Sequence, residues 1–298
     1  MATIAQSSAM KVLAVIQLIR VHQWVKNLFV FLPAFFAVRL DDPQVLINSL
    51  FAFLAFSVTA SSIYVINDYL DIEKDKLHPE KKSRPLASGA LSKPAGLSIF
   101  AVLAIISIGL TFLIGWEAAT FLGAYFVMNL AYSFKLKEIA IIDIAIISTG
   151  FLLRVFVGGA AASIPVSNWL VLLTFLLAML LALAKRRGEM VLQTKIGKTR
   201  KSLEGYNLQF IDQAMVFMAA VTVVSYIMYT VSPEVMHRIK SDRVYLSTIF
   251  VILGVMRYLQ QTLVFHKTES PTKVLYEDRF IQLVLIAWIG FFAALLYI

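Results

Sequence analysis

Residues 46–75 read LINSLFAFLAFSVTASSIYVINDYLDIEKD, and this stretch decides the fold class. Its first part, 46–66, is almost entirely apolar and has about the 20 residues that a helix needs to cross the hydrocarbon core of a membrane. Its last part, 67–75, carries four carboxylates. The stretch therefore predicts a transmembrane helix whose end bears an acidic cluster.

The composition of the whole chain agrees with a membrane location. Of 298 residues, 59% are hydrophobic and 15% are charged, and the mean hydropathy is +0.79. A soluble domain usually has about 45–50% apolar and about 25% charged residues. The surplus cannot all be buried in one soluble core, which excludes a soluble enzyme, a disordered chain and a nucleic-acid-binding domain. Cysteine is absent, which excludes disulfides, thiolate metal sites and a cysteine nucleophile.

Apolar runs of spanning length predict an all-α integral membrane protein with about nine transmembrane helices. The runs lie near 24–40, 46–66, 94–114, 117–134, 139–162, 167–185, 212–232, 244–263 and 280–298. A shorter apolar run at 10–19 precedes the polar segment 20–27, so we expect an interfacial helix there rather than a span. Residues 1–298 are predicted to form a single polytopic membrane domain.

The distribution of positive charge predicts the orientation. The chain has 27 Lys and Arg against 18 Asp and Glu, which gives a net charge of +9. With nine spans, 21 of these cations lie on one side of the membrane, 4 on the other and 2 within spans. Positively charged loops stay in the cytoplasm. We therefore expect a multi-pass protein of the cell (inner or plasma) membrane with a cytoplasmic N-terminus, an extracytoplasmic C-terminus and an active site facing the cytoplasm.

Acidic side chains follow the second span at helical spacing. If that helix continues to His78, where Pro79 would end it, four polar residues share one stripe about 100° wide. They are Asn67, Asp68, Asp71 and Asp75. Carboxylates this close repel each other unless a cation lies between them. Hard oxygen ligands without Cys or His favour Mg²⁺, which proteins usually hold with one or two carboxylates plus substrate phosphates.

Basic residues come directly after the acidic stripe. Lys81, Lys82 and Arg84 can bind the phosphate oxygens that a metal leaves free. The combination predicts a site for Mg²⁺ and a diphosphate substrate. The alternative is a charged and solvated cytoplasmic loop, which accounts less well for the shared helical face of the acidic residues.

The run NDYLDIEKD at 67–75 resembles the acidic motif NDxxDxxxD of the UbiA superfamily of intramembrane prenyltransferases. The resemblance implies about nine transmembrane helices around a central cavity open to the cytoplasm, with a Mg²⁺-bound diphosphate. It is specific in sequence at 67–89, and in topology it extends over the whole chain.

Further segments resemble the decaprenyl-phosphate phosphoribosyltransferase branch of that superfamily. They are RxxQWxKN at 20–27, DxxHPxKxxRPxASG at 75–89, YSxxLK at 132–137, Asp143 with GFxLR at 150–154, KRxxE at 185–189 and LxxY at 203–206. This branch implies transfer of 5-phosphoribose from phosphoribosyl pyrophosphate (PRPP) to a polyprenyl phosphate, with release of pyrophosphate. The length of the polyprenyl chain and the oligomeric state stay open, and a homo-oligomer is compatible with the sequence.

The candidate site residues come from the motif and the resemblance together. The catalytic candidates are Asp68, Asp71 and Asp75, and the candidate metal ligands are Asn67, Asp71 and Asp75. The candidates for substrate binding are Lys26, Asn67, Lys81, Arg84, Tyr132, Lys137, Arg154, Lys185 and Arg186. Arg154 lies inside the fifth predicted span, where a charge should face a cavity or a partner. A role as a structural strut and a role at the lipid phosphate are both open for it.

Two other functions compete with phosphoribose transfer. A prenyltransferase of the same superfamily would move a prenyl group from a prenyl diphosphate to an aromatic or lipid acceptor. Such members typically carry a second Asp-rich motif after the fourth span, whereas residues 135–143 have only two acids, Glu138 and Asp143, about 140° apart on a helix. A transporter or channel would need charges through the depth of the bilayer and important groups on both faces. The charges of this chain gather on one face.

Overall fold

The computed structural model describes residues 2–77, 81–196, 201–266, 274 and 276–297, and within these ranges every regular element is a helix. The α-helices are α1 (Ala2–Ile19), α2 (Leu32–Phe36), α3 (Pro43–Leu70), α4 (Ile72–Lys76), α5 (Lys93–Thr111), α6 (Trp116–Phe134), α7 (Ile142–Ala161), α8 (Asn168–Ile196), α9 (Leu208–Thr230), α10 (Pro233–Ile239), α11 (Thr248–Leu259) and α12 (Arg279–Tyr297). Shorter elements are the 3-10 helices Val21–Phe31, Lys81–Ser83, Leu136–Glu138, Lys201–Gly205 and Arg243–Ser247, and the π-helical turn Gln260–Val264.

Six helical segments of the described ranges are long and apolar enough to cross a membrane. They are Pro43–Leu70, Lys93–Thr111, Ile142–Ala161, Asn168–Leu192, Leu208–Thr230 and Arg243–Val264. The predicted spans at 117–134 and 280–298 also coincide with helices, α6 and α12, and the run at 10–19 lies in α1. The all-α prediction is therefore confirmed for the described residues.

The first predicted span, 24–40, is wrong as one continuous α-helix. The chain there forms the 3-10 helix Val21–Phe31 and then the short α2. Trp24 Nε1 donates to Ser61 Oγ at 3.0 Å, and Asn27 Nδ2 donates to Ser57 Oγ at 2.9 Å. Because 3-10 helices seldom exceed three or four residues, we attribute the length of this one, 11 residues, to these side-chain bonds with α3. Hydropathy alone does not report such bonds.

The chain forms two compact units, and the first comprises Met1–Lys137 and Leu153–Val166. Its central helix is α3, which packs against α5, α6 and the 3-10 helix Val21–Phe31. Small buried side chains on α3, such as Ala52 and Ala60, let the neighbouring helices approach closely. This packing leaves the carboxyl end of α3 to carry the acidic residues.

The second unit comprises Glu138–Leu152 and Ser167–Ile298. Within it α8 packs along α9, and α11 packs against α12. Leu183, Ile211 and Met215 are buried in the core between α8 and α9. The basic end of α8, with Lys185 and Arg186, belongs to this unit.

Candidate active site

The acidic residues lie where α3 ends. Asp71 separates α3 from α4, and its backbone (φ −96°, ψ 6°) leaves the helical region. The prediction of an uninterrupted helix is therefore wrong at this residue, while the predicted end at His78 and Pro79 lies outside the described residues. Hydrogen bonds still bridge the break, because Asp71 N donates to Asn67 O (3.0 Å) and Asp75 N donates to Asp71 O (2.8 Å). The four-residue spacing is kept, so these side chains stay close together.

Two of the carboxylates share one guanidinium. Arg84 Nη1 lies 2.9 Å from Asp68 Oδ1 and 2.7 Å from Asp75 Oδ2. Arg20 Nη2 lies 2.5 Å from the same oxygen of Asp68. Asp68 and Asp75 are only 2% and 4% exposed. A solvated loop would leave both carboxylates in water. Their burial beside cations therefore argues for a preformed binding site.

The third carboxylate has a different cation. Lys137 Nζ lies 2.8 Å from both carboxylate oxygens of Asp71 and 3.4 Å from Oδ1 of Asn67. Lys137 is carried by the short 3-10 helix that follows α6. The structure therefore brings together two residues of the acidic motif and Lys137, a substrate-binding candidate from a separate segment of the sequence.

The surroundings of Asp75 affect its protonation. Burial raises the pKa of Asp75, and the positive charges of Arg84 and Lys81 oppose that rise. Lys81, on the turn Lys81–Ser83, thus contributes to the electrostatic field of the site. Loss of either neighbouring cation would therefore raise the pKa of Asp75 further.

The donor set suits a hard divalent cation. Asn67, Asp68, Asp71 and Asp75 offer only oxygen ligands, the kind that Mg²⁺ prefers. Across the described ranges no three Asp, Glu or His side chains converge as a complete metal cluster. The residues therefore fit a metal that takes one or two carboxylates and completes its coordination with phosphate oxygens and water.

Three predicted substrate-binding residues are not part of these ion pairs. Lys26 lies on the 3-10 helix Val21–Phe31, and Tyr132 lies on the last turn of α6; both are half-buried. Lys185 lies on α8 and its side chain is exposed. Their predicted roles rest on the sequence alone.

Arg154, also in the first unit, is almost completely buried. Its Nε donates to Asn27 Oδ1 at 2.8 Å, and its Nη2 lies 3.4 Å from the hydroxyl of Tyr125. The guanidinium carbon lies 4.7 Å from the ring centre of Phe56 and 5.2 Å from that of Tyr125. Stacking on aromatic faces stabilises a desolvated guanidinium. These contacts fit a structural role, in which Arg154 holds neighbouring segments of the first unit together. A role at the lipid phosphate stays a prediction.

Arg186 lies in a buried ion-pair network of the second unit. Its Nε lies 2.6 Å from Asp143 Oδ2, and its Nη1 lies 2.6 Å from Glu189 Oε2. The hydroxyls of Tyr206 and Ser202 also donate to the Asp143 carboxylate, at 2.9 Å and 3.3 Å. Both Arg186 and Asp143 are 0% exposed. A guanidinium held in this way is poorly placed to bind a substrate phosphate, so the geometry does not favour the predicted role of Arg186.

The residue most clearly missing from the predicted site is Arg20. It pairs with Asp68 as closely as any other cation of the cluster. The available signal was its position at the start of the segment RxxQWxKN, 48 residues before Asp68. Sequence spacing cannot show a contact of that separation, because the contact depends on how α1 and the 3-10 helix Val21–Phe31 turn back onto α3.

Comparison with known proteins shows the family. The model of the UbiA prenyltransferase family matches residues 27–188. The chain is 32% identical over 293 residues to a decaprenyl-phosphate phosphoribosyltransferase of Mycolicibacterium smegmatis, with 95% of this chain and 92% of the relative covered. It is 34% identical over 292 residues to a protein of the same name from Corynebacterium glutamicum, with 95% and 86% covered.

A solved structure shares the fold. The UbiA homolog from Archaeoglobus fulgidus bound to DMAPP and Mg²⁺ superposes with a TM-score of 0.71 over 95% of this chain and 99% of that chain. The sequence identity of this pair is 15%, so the likeness concerns the fold alone. With the family match covering more than half of its length, the chain belongs to the UbiA prenyltransferase family.

Proposed function

We propose that this protein transfers 5-phosphoribose from PRPP to a polyprenyl phosphate and releases pyrophosphate. The proposal rests on one observation, that three carboxylates and two cations form ion pairs in one site of the first unit. The carboxylates belong to Asp68, Asp71 and Asp75, and the cations to Arg84 and Lys137. The site offers oxygen ligands for a metal beside N–H donors for phosphate oxygens. PRPP carries a diphosphate and a separate 5-phosphate, so it needs both kinds of partner. The two relatives named decaprenyl-phosphate phosphoribosyltransferase support the same reaction.

Asn67, Asp71 and Asp75 would hold Mg²⁺, the ion named for the Archaeoglobus homolog. Bound Mg²⁺ neutralises the diphosphate and makes pyrophosphate a better leaving group. Arg84 and Lys137 donate N–H groups to diphosphate oxygens and so hold the donor in place. Asp68 contributes its buried negative charge, which stabilises the positive charge that develops at C1 of the ribose.

The acceptor needs little activation by the protein. A phosphate monoester has a second pKa of about 6 and is largely dianionic at neutral pH. The chain therefore needs to orient the attacking oxygen rather than remove a proton from it. Lys26, Tyr132 and Lys185 are proposed to bind the 5-phosphate or the lipid phosphate, with Arg154 as a further candidate. Arg186 is the weakest of the predicted ligands because Asp143 and Glu189 already hold its guanidinium.

The finer architecture belongs to the same proposal. We infer about nine spans in a single polytopic membrane domain, 1–298, around a central cavity open to the cytoplasm. The six long apolar segments support the membrane location, and the bias of positive charge supports a cytoplasmic N-terminus in the cell membrane. A lipid phosphate would then reach the site from the bilayer while PRPP arrives from the cytoplasm. A homo-oligomer is compatible with this arrangement.

The proposal is tested by incubating membranes that contain the protein with radiolabelled PRPP, polyprenyl phosphate and Mg²⁺. Label should move to the lipid phase in wild type and in Arg39→Gln, which removes an exposed ion pair with Asp42 outside the site. Asp71→Asn should reduce the transfer to background. A wild-type protein that is inserted and folded but moves no label would overturn phosphoribose transfer.

Prenyl transfer is the second candidate because the matching family is described as prenyltransferases. It predicts that a prenyl diphosphate, and not PRPP, supplies the transferred group. The same membranes incubated with a labelled prenyl diphosphate and an aromatic or lipid acceptor distinguish the two reactions. Product in that assay, together with none from PRPP, would favour the second candidate.

A further inference from the structure

Arg20 has an unusual backbone conformation beside the acidic site. It lies between α1 and the 3-10 helix Val21–Phe31, with φ 54° and ψ 50°. This left-handed conformation is unfavourable for a residue with a side chain. Such conformations persist where surrounding contacts hold them.

Several contacts hold Arg20 in place. Its Nη2 lies 2.5 Å from Asp68 Oδ1, and its guanidinium carbon lies 4.8 Å from the ring centre of Tyr64. The carbonyl just before it, Ile19 O, accepts a hydrogen bond from Ser61 Oγ at 2.8 Å. The turn that presents Arg20 is thus fastened to α3 at Ser61, Tyr64 and Asp68. The side chain of Arg20 is still 20% exposed, so a ligand in solution can reach it.

The three carboxylates of the site are already paired with cations of the same chain. Asp68 is shared by Arg20 and Arg84, Asp75 is paired with Arg84, and Asp71 is paired with Lys137. Three carboxylates are therefore ion-paired with three cations, and Lys81 adds a further positive charge near Asp75. A metal ion that binds these carboxylates must compete with the cations. A diphosphate that binds the cations must likewise compete with the carboxylates.

We propose that Arg20 is an internal counter-ion of Asp68 that makes Mg²⁺ and diphosphate bind to this site cooperatively. Mg²⁺ alone meets a cluster whose carboxylates are already paired with cations, and it binds weakly. When a diphosphate arrives with the metal, Arg20 exchanges Asp68 for a phosphate oxygen, and each guanidinium and carboxylate keeps an opposite charge. This inference rests on the proposed function, since it takes a metal-bound diphosphate as the ligand of the site.

The proposed exchange predicts that Arg20→Gln changes the affinities for Mg²⁺ and for pyrophosphate in opposite directions. In Arg20→Gln the acidic cluster loses one positive charge that opposes a metal ion, while Arg84 still pairs with Asp68, so Mg²⁺ alone should bind about fivefold more tightly. Pyrophosphate in saturating Mg²⁺ loses a guanidinium partner and should bind about tenfold more weakly. Both changes lie within the usual range of coupling between two ligands, about 5- to 150-fold. A purely structural role for Arg20 would weaken both ligands.

The experiment is isothermal titration calorimetry on the full-length protein in detergent. Mg²⁺ is titrated alone, and pyrophosphate is titrated with and without Mg²⁺, for wild type, Arg20→Gln and Arg20→Lys. Arg39→Gln is the matched control, since it removes an arginine that pairs with Asp42 away from the site. Thermal unfolding of each variant checks that it is folded, and Arg20→Lys, which keeps the charge, should give intermediate values for both ligands.

The outcomes separate this inference from the proposed function. Tighter Mg²⁺ and weaker pyrophosphate in Arg20→Gln support the counter-ion role. Unchanged Mg²⁺ binding, or weakening of both ligands in Arg20→Gln and Arg20→Lys alike, overturns it while the proposed function stands. A folded wild-type protein that binds neither ligand instead refutes the diphosphate site on which the proposed function depends.

Discussion

The buried pair of Asp143 and Arg186 allows a prediction that decides between two roles for the arginine. Both side chains are fully buried, and Asp143 accepts hydrogen bonds from Arg186 Nε (2.6 Å), Tyr206 Oη (2.9 Å), Ser202 Oγ (3.3 Å) and Ile144 N (2.9 Å). Burial also raises the pKa of Tyr206 to about 12, so its hydroxyl remains a donor at neutral pH. Asp143→Asn removes the charge but keeps the shape. Loss of one partner of a buried ion pair destabilises a protein by about 3–5 kcal/mol. We expect a loss near the lower end of this range because Tyr206 and Ser202 can still donate to the side-chain oxygen of the asparagine.

The double variant, Asp143→Asn with Arg186→Gln, tests the source of that loss. It removes both charges, and neutral replacement of a buried pair is often close to neutral in stability. We therefore expect it to regain most of the lost stability, with an interaction energy of about 2–3 kcal/mol in the double-mutant cycle. Unfolding in mixed micelles of increasing SDS content measures the free energy of unfolding of the four purified proteins, which are wild type, the two single variants and the double variant.

Kinetics then separates a positioning role from a substrate-binding role. If Arg186 only holds Asp143, the double variant should recover its KM for PRPP together with its stability. If Arg186 binds a substrate phosphate, stability returns but KM stays raised. A cost below about 1 kcal/mol for Asp143→Asn would refute the reasoning from burial, because loss of a charge 2.6 Å from a fully buried guanidinium should cost more than that even while Glu189 stays paired with it.

Three further outcomes follow from the first unit. Asp71→Asn should lower turnover at least about 100-fold with unchanged membrane insertion, because its partner Lys137 and a metal both depend on the carboxylate; wild-type turnover would contradict the assignment. Since burial raises the pKa of Asp75, activity should fall on the acid side at a higher pH than for an exposed aspartate. Arg84→Gln removes a cation that favours the ionised form, so the acid limb of its residual activity should move to still higher pH in a pH–rate profile. Arg154→Lys keeps a charge but loses the stacked guanidinium, and should cost about 1–2 kcal/mol in SDS unfolding.

Much of the acidic site could be predicted from the sequence because the determinants are local. Asn67, Asp71 and Asp75 are four residues apart, and that spacing keeps side chains on one face of a helix even where Asp71 interrupts the helix. Arg84 follows within the same loop and reaches both Asp68 and Asp75. Short separations of this kind leave the chain little freedom to place the groups elsewhere.

The contacts that sequence reasoning missed connect distant segments. Arg20 meets Asp68, 48 residues away, and Asn27 meets Arg154, 127 residues away. Both depend on the 3-10 helix Val21–Phe31, which hydropathy represents only as an apolar run. The geometry argues against the predicted role of Arg186 for a related reason. Its position in a basic cluster indicated phosphate binding, while its buried partner, Asp143, lies 43 residues earlier in the chain.

The 3-10 helix Val21–Phe31 packs closely against α7 at Gly158. The absence of a side chain at Gly158 allows Arg154 to reach Asn27. A Cβ atom at Gly158 would lie 1.9 Å from the carbonyl oxygen of Val30, so any other residue forces the two backbones apart. Val30 follows Asn27 by three residues and Gly158 follows Arg154 by four, which places each pair on one face of its helix. The 2.8 Å bond between Asn27 and Arg154 therefore lies one turn from this closest approach. A side chain in place of Gly158 would therefore move Asn27 away from Arg154 even with both of those residues unchanged.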